Sequence, residues 1–202
     1  MARLATGAGS LRITGVPGAS AIEVTAEYRG SNTSPGGAER ILENLKLTME
    51  VRGDTFYLRS EQVSDWAWNA SGRIDLVLTL PPGIGLDVDD GSGSIEISDM
   101  AGRVRVEDGS GGIDLERIQG DVSVRDGSGS ISIRGADRNV EIEDGSGDIH
   151  VRDVGGDVRI EDSSGSIDVE QVRGDFIVPH DGSGSIRFSG IDGRVDIPKR
   201  RK

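Results

Sequence analysis

Six aspartates recur along the second half of the chain, each directly before a tripeptide of small residues that ends in glycine. They are spaced by 18 residues four times in succession and by 19 residues once, and they are Asp90, Asp108, Asp126, Asp144, Asp162 and Asp181. Calcium takes several carboxylate and carbonyl oxygens as ligands. Carboxylates that line one edge of a stacked structure, about 4.8 Å apart, could therefore form a ladder of cation sites.

The same carboxylates could instead serve the backbone. An aspartate before a Gly-Ser-Gly turn can accept the N–H groups of that turn as an Asx-type cap. Calcium-binding nonapeptide rolls also use 18-residue coils, but Ile stands here where their pattern Gly-Gly-x-Gly-x-Asp has the aspartate. We therefore favour the capping role, predict no cofactor and no dedicated metal site, and keep the cation ladder as an alternative.

The turn serines carry hydroxyls that could act as nucleophiles. A serine nucleophile needs a neighbouring base that a third group orients, and the two histidines, His150 and His180, fall in different repeats. No Gly-Lys-Ser loop accompanies the glycines, so the sequence gives no nucleotide-binding signal. We predict no catalytic residue and interpret the serines as small turn residues; they are Ser92, Ser110, Ser128, Ser146 and Ser183.

The residues between the turns show which elements must position the aspartates. Each repeat has two short stretches in which apolar and polar residues alternate, as in a strand with one buried face. Ile131 and Ile133 represent the first stretch, and Val140 and Ile142 the second. Two strands per 18-residue coil predict an all-β fold, a two-sheet parallel β-solenoid. We expect it to be right-handed, as parallel crossovers generally are.

Two details of the repeat give further expectations. One more apolar residue lies between the two strands of each repeat, where it should plug an edge of the core; this position holds Met100, Ile118, Ala136, Val154, Val172 and Ile191. The 19-residue interval places an extra residue within Val178–Asp181. Pro179 cannot donate to a ladder, so we predict a β-bulge there.

The regular pattern divides the chain into three parts. Residues 1–85 form an N-terminal β-rich capping module that is continuous with the solenoid, residues 86–198 form the regular solenoid, and residues 199–202 form a basic tail. The capping module would cover a sheet edge that is otherwise open to strand addition.

Within the N-terminal module the sequence predicts a degenerate first repeat, a short helix, a hairpin and, over Ile74–Leu80, a strand that stops at Pro81-Pro82. Residues 9–18 read as a degenerate first repeat, and Ala38–Leu45 as a short helix. Lys46–Val51 and Thr55–Ser60 read as a hairpin whose turn is Arg52-Gly53-Asp54. That tripeptide also matches the integrin-recognition motif, but a tight turn, in which Gly supplies a positive φ, is the interpretation that we favour.

Trp66 and Trp68 are the only tryptophans of the chain. Because they are two residues apart, their side chains point the same way if the segment is extended. Packing in the core of the N-terminal module and exposure as an interaction patch both fit this spacing, and we favour core packing.

The composition limits the classes of function. A formal net charge of −12 argues against binding to nucleic acid or to an anionic membrane, since both need a basic surface. No apolar run approaches the about 20 residues that span a bilayer, so we expect no direct membrane insertion. No hydrophobic segment follows Met1, so we expect either a cytoplasmic protein or a trimmed mature form.

Residues 80–88, with the sequence LPPGIGLDV, lead into serial Gly-Ser-Gly-x-Ile-x-Ile units. In this the chain resembles the bacterial adhesin-like β-solenoid families of unknown function, which include the head GIN type. The resemblance covers residues 73–197 well and residues 9–60 loosely. It implies a right-handed two-sheet solenoid in an extracytoplasmic, surface or envelope setting, behind a signal sequence since removed. The families have no established catalytic residues, so none is carried over.

We predict a non-enzymatic bacterial surface or envelope protein, adhesin-like or scaffold-like, whose flat β faces contact a protein or a cell-surface polymer. The alternatives are a self-associating solenoid that forms fibres or filaments, a calcium-dependent β-roll module, and a carbohydrate-active enzyme. The narrow coil and the aromatic content of 3% argue against the enzyme. Pro198 and the basic tail should discourage unlimited end-to-end growth, while a homo-oligomer stays open.

Overall fold

The computed structural model describes residues 1–32, 41–62 and 70–198. Within these ranges the chain is β-structure apart from turns, connecting segments and one helical turn at residues 41–43. The predicted short helix is confirmed as this turn, and residues 38–40 of its expected range lie outside the described residues. Trp66, Trp68 and the basic tail at 199–202 also lie outside them.

The described residues contain 18 strands. In chain order they are β1 (Ala2–Ala8), β2 (Leu11–Gly15), β3 (Glu23–Asn32), β4 (Leu45–Arg52), β5 (Thr55–Gln62), β6 (Ala70–Leu80), β7 (Leu86–Met100), β8 (Val104–Asp108), β9 (Gly111–Ile118), β10 (Val122–Asp126), β11 (Ile131–Ala136), β12 (Val140–Asp144), β13 (Ile149–Val154), β14 (Val158–Ser164), β15 (Ile167–Val172), β16 (Phe176–Ser183), β17 (Ile186–Ile191) and β18 (Val195–Asp196).

The strands form two facing sheets. Sheet 1 has the order β4-β5-β1-β7-β8-β10-β12-β14-β16-β18. Sheet 2 has the order β3-β6-β2-β7-β9-β11-β13-β15-β17. Strand β7 belongs to both, because Leu86–Asp90 pairs with β8 and Gly93–Met100 pairs with β9. All pairings are parallel except β3–β6 and β4–β5, which are antiparallel.

Equivalent residues of successive coils stack in register, as the 18-residue period predicts. Ile131 pairs with Ile149 in sheet 2, and Val122 pairs with Val140 in sheet 1. The inward aliphatic side chains of both sheets are almost completely buried in one continuous core. This confirms the two-sheet parallel solenoid, with two strands per coil and the predicted alternation of facing.

The edge plug and the bulge are also confirmed. Met100, Ile118, Ala136, Val154 and Val172 are each at most 2% exposed. In the ladder between β14 and β16, Arg159 pairs with Ile177 but Glu161 pairs with His180, so two residues stand opposite one. The extra residue of the fifth repeat is therefore absorbed by a β-bulge that contains Pro179.

A column of glycines at the turn edge lets successive coils approach closely. These glycines have φ between +143° and +153°, and they are Gly93, Gly111, Gly129, Gly147, Gly165 and Gly184. A Cβ atom added to Gly129 would overlap the carbonyl oxygen of Gly111 in the coil below. The invariant third position of each turn is thus required by backbone contact as well as by conformation.

At the opposite edge of each coil, the residue just before the plug residue has left-handed backbone with a positive φ. In two coils this residue is a glycine, Gly135 or Gly190. In the other four it is Asp99, Arg117, Asp153 or Gln171. A left-handed residue other than glycine costs about 1–2 kcal/mol. Sequence reasoning missed this bend, because four of its six residues are not glycine.

The N-terminal coil, β1 with β2, is inserted between two layers that come later in the chain. β1 pairs with β5 on one side and β7 on the other, and β2 lies between β6 and β7. Leu11 and Ile13 stack on Ile95 and Ile97, which confirms the degenerate first repeat. The connection from β6 to β7 therefore passes this coil, and the Pro82 carbonyl in that connection accepts N–H groups of Ala101 and Gly102.

The hairpin of β4 and β5 is confirmed, with a shorter turn than predicted. Arg52 pairs with Thr55, so the loop is the two residues Gly53 and Asp54. Gly53 has φ +57°, as the first central residue of a type II′ turn requires. Strands β3 and β4 thus close the N-terminal ends of sheets 2 and 1 with antiparallel pairings.

Candidate functional site

The recurring aspartates continue the inward alternation of the sheet 1 strands. In β8 the side chains of Val104, Val106 and Asp108 are buried, and the residues between them are less buried. Five of the aspartates are between 1% and 7% exposed, and we call them the aspartate column: Asp90, Asp108, Asp126, Asp144 and Asp162. They pair in register from coil to coil. The column is therefore part of the interior, whereas the sequence only predicted that it lines an edge.

One oxygen of these carboxylates caps the following turn. The backbone N–H of Ser128 donates to Oδ1 of Asp126 at 3.2 Å, and that of Ser164 donates to Oδ1 of Asp162 at 2.9 Å. Asp108 and Asp144 accept the equivalent bonds at 3.3 and 3.2 Å. The predicted Asx-type capping is confirmed in four coils.

The lowest member of the column has an additional partner. The Thr6 hydroxyl of the inserted coil donates to Oδ1 of Asp90, which links β1 to the turn of β7. Thr6 pairs directly with Asp90 in the ladder between these two strands. The inserted coil thus supplies a hydroxyl where the later coils supply another carboxylate.

The second oxygen of each column member is buried without a hydrogen-bond partner within the described part of the chain. Burial disfavours the charged form of a carboxyl group and raises its pKa. Burial, followed by the charges of Asp90 and Asp126, raises the pKa of Asp108 to about 6. Burial and the charges of Asp126 and Asp162 raise the pKa of Asp144 to about 6 as well. Burial also raises the pKa values of the other three members.

An open groove of about 720 Å³ runs along this edge over the column. The side chains on its rim are Asp89, Glu107, Arg125, Glu143, Glu161 and His180. Arg125 forms ion pairs with Glu143 at 3.0 Å and with Glu107 at 3.7 Å. Arg125 therefore pairs with carboxylates on the rim and not with the aspartate column.

The column offers little to a metal ion. In residues 1–32, 41–62 and 70–198 no group of three or more His, Cys, Asp or Glu side chains is arranged to hold one. Each coil contributes a single unpartnered oxygen, whereas calcium takes six to eight oxygen ligands. The cation ladder at these aspartates and Asp181 remains a prediction.

The structure brings one serine, one histidine and one aspartate together. Ser132, His150 and Asp168 occupy equivalent outward positions of β11, β13 and β15, so they stack in register on the open face of sheet 2. No hydrogen bond joins these three described side chains. His180 lies at the other edge, on the rim of the acidic groove. No described hydrogen bond joins either histidine to a turn serine, and the absence of a catalytic residue remains a prediction.

One outward row of sheet 2 runs Glu116, Arg134, Arg152, Glu170 in successive coils, so each arginine has one carboxylate neighbour. Arg134 contacts Glu116 at 2.7 Å, and Arg152 contacts Glu170 at 3.0 Å. All four side chains are between 35% and 55% exposed. Each such pair contributes about 0.2–1 kcal/mol, so the rows help to fix the register of the coils and add little stability.

The C-terminal end of the core is less covered than the rest. Phe188 on β17 is 43% exposed, and Ile186, Ile191, Val195 and Ile197 are only partly buried. No described strand pairs with the outer edge of β17. This end is therefore a surface that could contact another molecule, as is the outer face of sheet 2.

No helix in the part of the chain that the structure describes is long and apolar enough to span a bilayer. The model of the family described as Toastrack DUF4097 matches residues 4–197 of the chain. Curated proteins include no significant match to this sequence. A crystal structure of a candidate cell adhesion protein from Clostridium sporogenes ATCC 15579 is similar, with a TM-score of 0.43 and 14% sequence identity. That similarity covers 93% of this chain and 90% of the other.

Proposed function

This chain belongs to the Toastrack DUF4097 family, and from that premise we propose a non-enzymatic surface or envelope protein, adhesin-like or scaffold-like. Its partner would be a protein or a cell-surface polymer that binds the flat β faces. We place it outside the cytoplasm, at the cell surface or in the envelope. That the chain is of the head GIN type remains a prediction from the sequence.

The observation that carries this proposal is the outer face of sheet 2. Nine strands line it, so at about 4.8 Å per strand the face is about 40 Å long. Strands of about six residues make it about 20 Å wide. The resulting area, about 800 Å², is what one partner contributes to an interface of standard size.

The chemistry of this face favours recognition over catalysis. Its exposed rows carry Arg134, Arg152, Glu116 and Glu170 at regular intervals, so a partner with complementary charges could align along several coils. Ser132, His150 and Asp168 share the face without hydrogen bonds among them, whereas a triad needs the base to contact both neighbours. The face therefore supports a binding role.

The test uses charge reversal on the two outer faces. We expect the Arg134→Glu/Arg152→Glu variant to lose most of its binding to isolated cell envelopes of the source organism in a pelleting assay. The matched control, Arg105→Glu/Arg159→Glu, reverses two arginines on the outer face of sheet 1, of which Arg159 is exposed and Arg105 is half-buried, and it should bind like the wild type. Circular dichroism checks that both variants are folded.

Equal binding by both variants would place the contact surface elsewhere. Fractionation of the source cells tests the compartment separately, and recovery of the protein in the cytoplasmic fraction alone would contradict an envelope role. Binding that depends on the sheet 2 face together with an envelope location would support the proposal.

The partly covered C-terminal end favours self-association as a second candidate function. An unpaired strand edge with apolar neighbours is a surface to which another strand can add. If this end drives assembly, the wild-type protein forms fibres in electron micrographs, and Phe188→Lys abolishes them. A monomeric wild-type protein at high concentration in sedimentation velocity would exclude this candidate.

A further inference from the structure

The aspartate column places five carboxyl groups in the interior of the solenoid, and no Arg, Lys or His side chain of the described residues is buried among them. Each is at least 93% buried, and each has one oxygen without a partner in the described part of the chain. The strand repeat sets neighbouring members about 4.8 Å apart. Five like charges at this spacing, removed from water, would repel one another and would lack hydration.

The groups packed around the column do not neutralise it. The described strands of sheet 2 direct apolar side chains into the adjoining core, such as Ile113, Ile131 and Ile149. Thr6 of β1 lies below the column, and Asp181 of β16 lies above it in the ladder. The titratable groups nearest to the column on the surface are Asp89, Glu107, Arg125, Glu143, Asp148, Glu161 and His180.

Arg125 is the cation of this set that lies along the middle of the column, and it is bound to Glu143 and Glu107 on the surface. His180 lies at the upper end of the groove and is exposed. Neither side chain donates a hydrogen bond to a member of the column. The negative charge of the column is therefore not balanced by the protein's own cations.

We propose that the aspartate column is a row of proton-binding sites, in which neighbouring carboxyl groups share protons between coils in mild acid. A proton taken from solvent converts one unpartnered Oδ2 into an O–H donor, and the Oδ2 of the next coil can accept from it after a small side-chain rotation. Each bound proton removes one buried charge and satisfies two buried oxygens. The solenoid therefore becomes more stable as the pH falls below neutral.

The pH range follows from the direction of the pKa shifts. The pKa values of Asp108 and Asp144 are about 6 in the folded protein, against an ordinary value of 3.8. Between these values the folded state binds more protons than the unfolded state, so the stability that these groups contribute is full below about pH 4 and is lost as the pH rises through about 6. Surface carboxylates paired with arginine, such as Glu116, have lowered pKa values. The stability that these pairs contribute is lost only in stronger acid, when the carboxylates become protonated.

The experiment compares thermal unfolding of three proteins between about pH 5 and pH 7.5. The wild-type unfolding temperature should rise on acidification. Asp126→Asn/Asp144→Asn keeps the capping oxygens and supplies amide donors without a charge, so it should be more stable than the wild type at pH 7.5 and show a smaller pH dependence. Glu141→Gln, on the exposed face of β12, removes one charge without touching the column and should keep the wild-type pH dependence.

A pH dependence that is unchanged in the double asparagine variant would overturn the proposal. If that variant does not fold, nuclear magnetic resonance of the wild-type protein decides the question. The protein is labelled with carbon-13, and the chemical shifts of the aspartate carboxyl carbons are followed as the pH changes. Several of them should titrate between about pH 5 and pH 7. If all of them titrate below about pH 4.5, the column does not bind protons as proposed.

Discussion

At one edge of the coils the chain turns through Gly-Ser-Gly, or Ser-Ser-Gly at residues 163–165, beside an inward carboxylate, and at the other edge it turns beside an inward aliphatic side chain. The aliphatic edge closes the core with apolar contact, as Ile118 and Val154 do. The turn edge closes it with carboxylates such as Asp126, whose Oδ1 accepts the N–H of Ser128. Both edges bring the backbones of successive coils into close contact, at Gly129 over Gly111 on the turn edge and at Gly120 over Gly102 on the aliphatic edge, but only the turn edge buries a carboxylate beside that contact.

The comparison shows that a buried polar group is accepted only where the backbone offers it a partner. A turn has N–H groups that no ladder uses, so an inward carboxylate can satisfy one oxygen there. The middle of a strand has no such groups, because both neighbouring coils occupy them. The same side chain should therefore be tolerated at one site and disruptive at the other.

The largest expected effect comes from placing a carboxylate in the middle of a coil. Ile133→Asp would bury a charge among Ile131, Val151 and their neighbours, where no backbone N–H is available, and it should lower the free energy of unfolding by about 4 kcal/mol or more. Ser132→Asp, on the outward side of the same strand, should change it by less than about 1 kcal/mol. Chemical denaturation measures both, and similar losses in the two variants would contradict the facing of β11.

The second prediction applies one substitution to both edges. Gly129→Ala at the turn edge would force a Cβ into the carbonyl of Gly111, so it should lower the free energy of unfolding by about 3 kcal/mol or more. Gly135→Ala at the aliphatic edge also has a positive φ, +74°, but its nearest neighbour is 3.7 Å away. Only the conformational cost applies there, about 1–2 kcal/mol. A larger loss for Gly135→Ala in denaturation would reverse the assignment of the two edges.

The smallest expected effect is a gain at the aliphatic edge. Gln171 has φ +58°, whereas the equivalent residues Gly135 and Gly190 are glycine. Gln171→Gly removes the strain but adds freedom to the unfolded chain, so it should stabilise the protein by about 0.5–1 kcal/mol. Asp168→Gly, in the regular part of the same strand, should destabilise it by about as much. Unfolding temperatures that fall in both variants would show that the bend is not strained.

Most of the solenoid could be predicted from the sequence because its determinants are local and repeated. The pairs Ile131/Ile133 and Val140/Ile142 show which faces are buried, and six copies reinforce the same period. The Gly-Ser-Gly turns mark where one strand ends and the next begins. The bulge at Pro179 followed from a count of residues and from proline's missing N–H.

The site was only half predictable. Capping by the aspartates follows from their place before a turn. Asp108 also lies two residues after Val106, so its side chain faces inward like those of Val104 and Val106. This alternation is visible in the sequence, but a charged residue is normally expected to be exposed, even at an inward position. The burial of the second oxygen depends on the coils above and below, which no single repeat reveals.

By itself the sequence determined the period, the two strands of each coil, the direction in which each side chain faces and the glycine at each tight turn. These properties depend on the alternation of side chains along a strand and on the φ angles that a residue can adopt, both of which are local. Only the tertiary structure decided that β1 and β2 lie between β6 and β7, that Gln171 and Arg117 adopt left-handed backbone, and that the carboxylates stack in the interior. Each of these depends on contacts between residues far apart in the chain, whose free energies outweigh local preference.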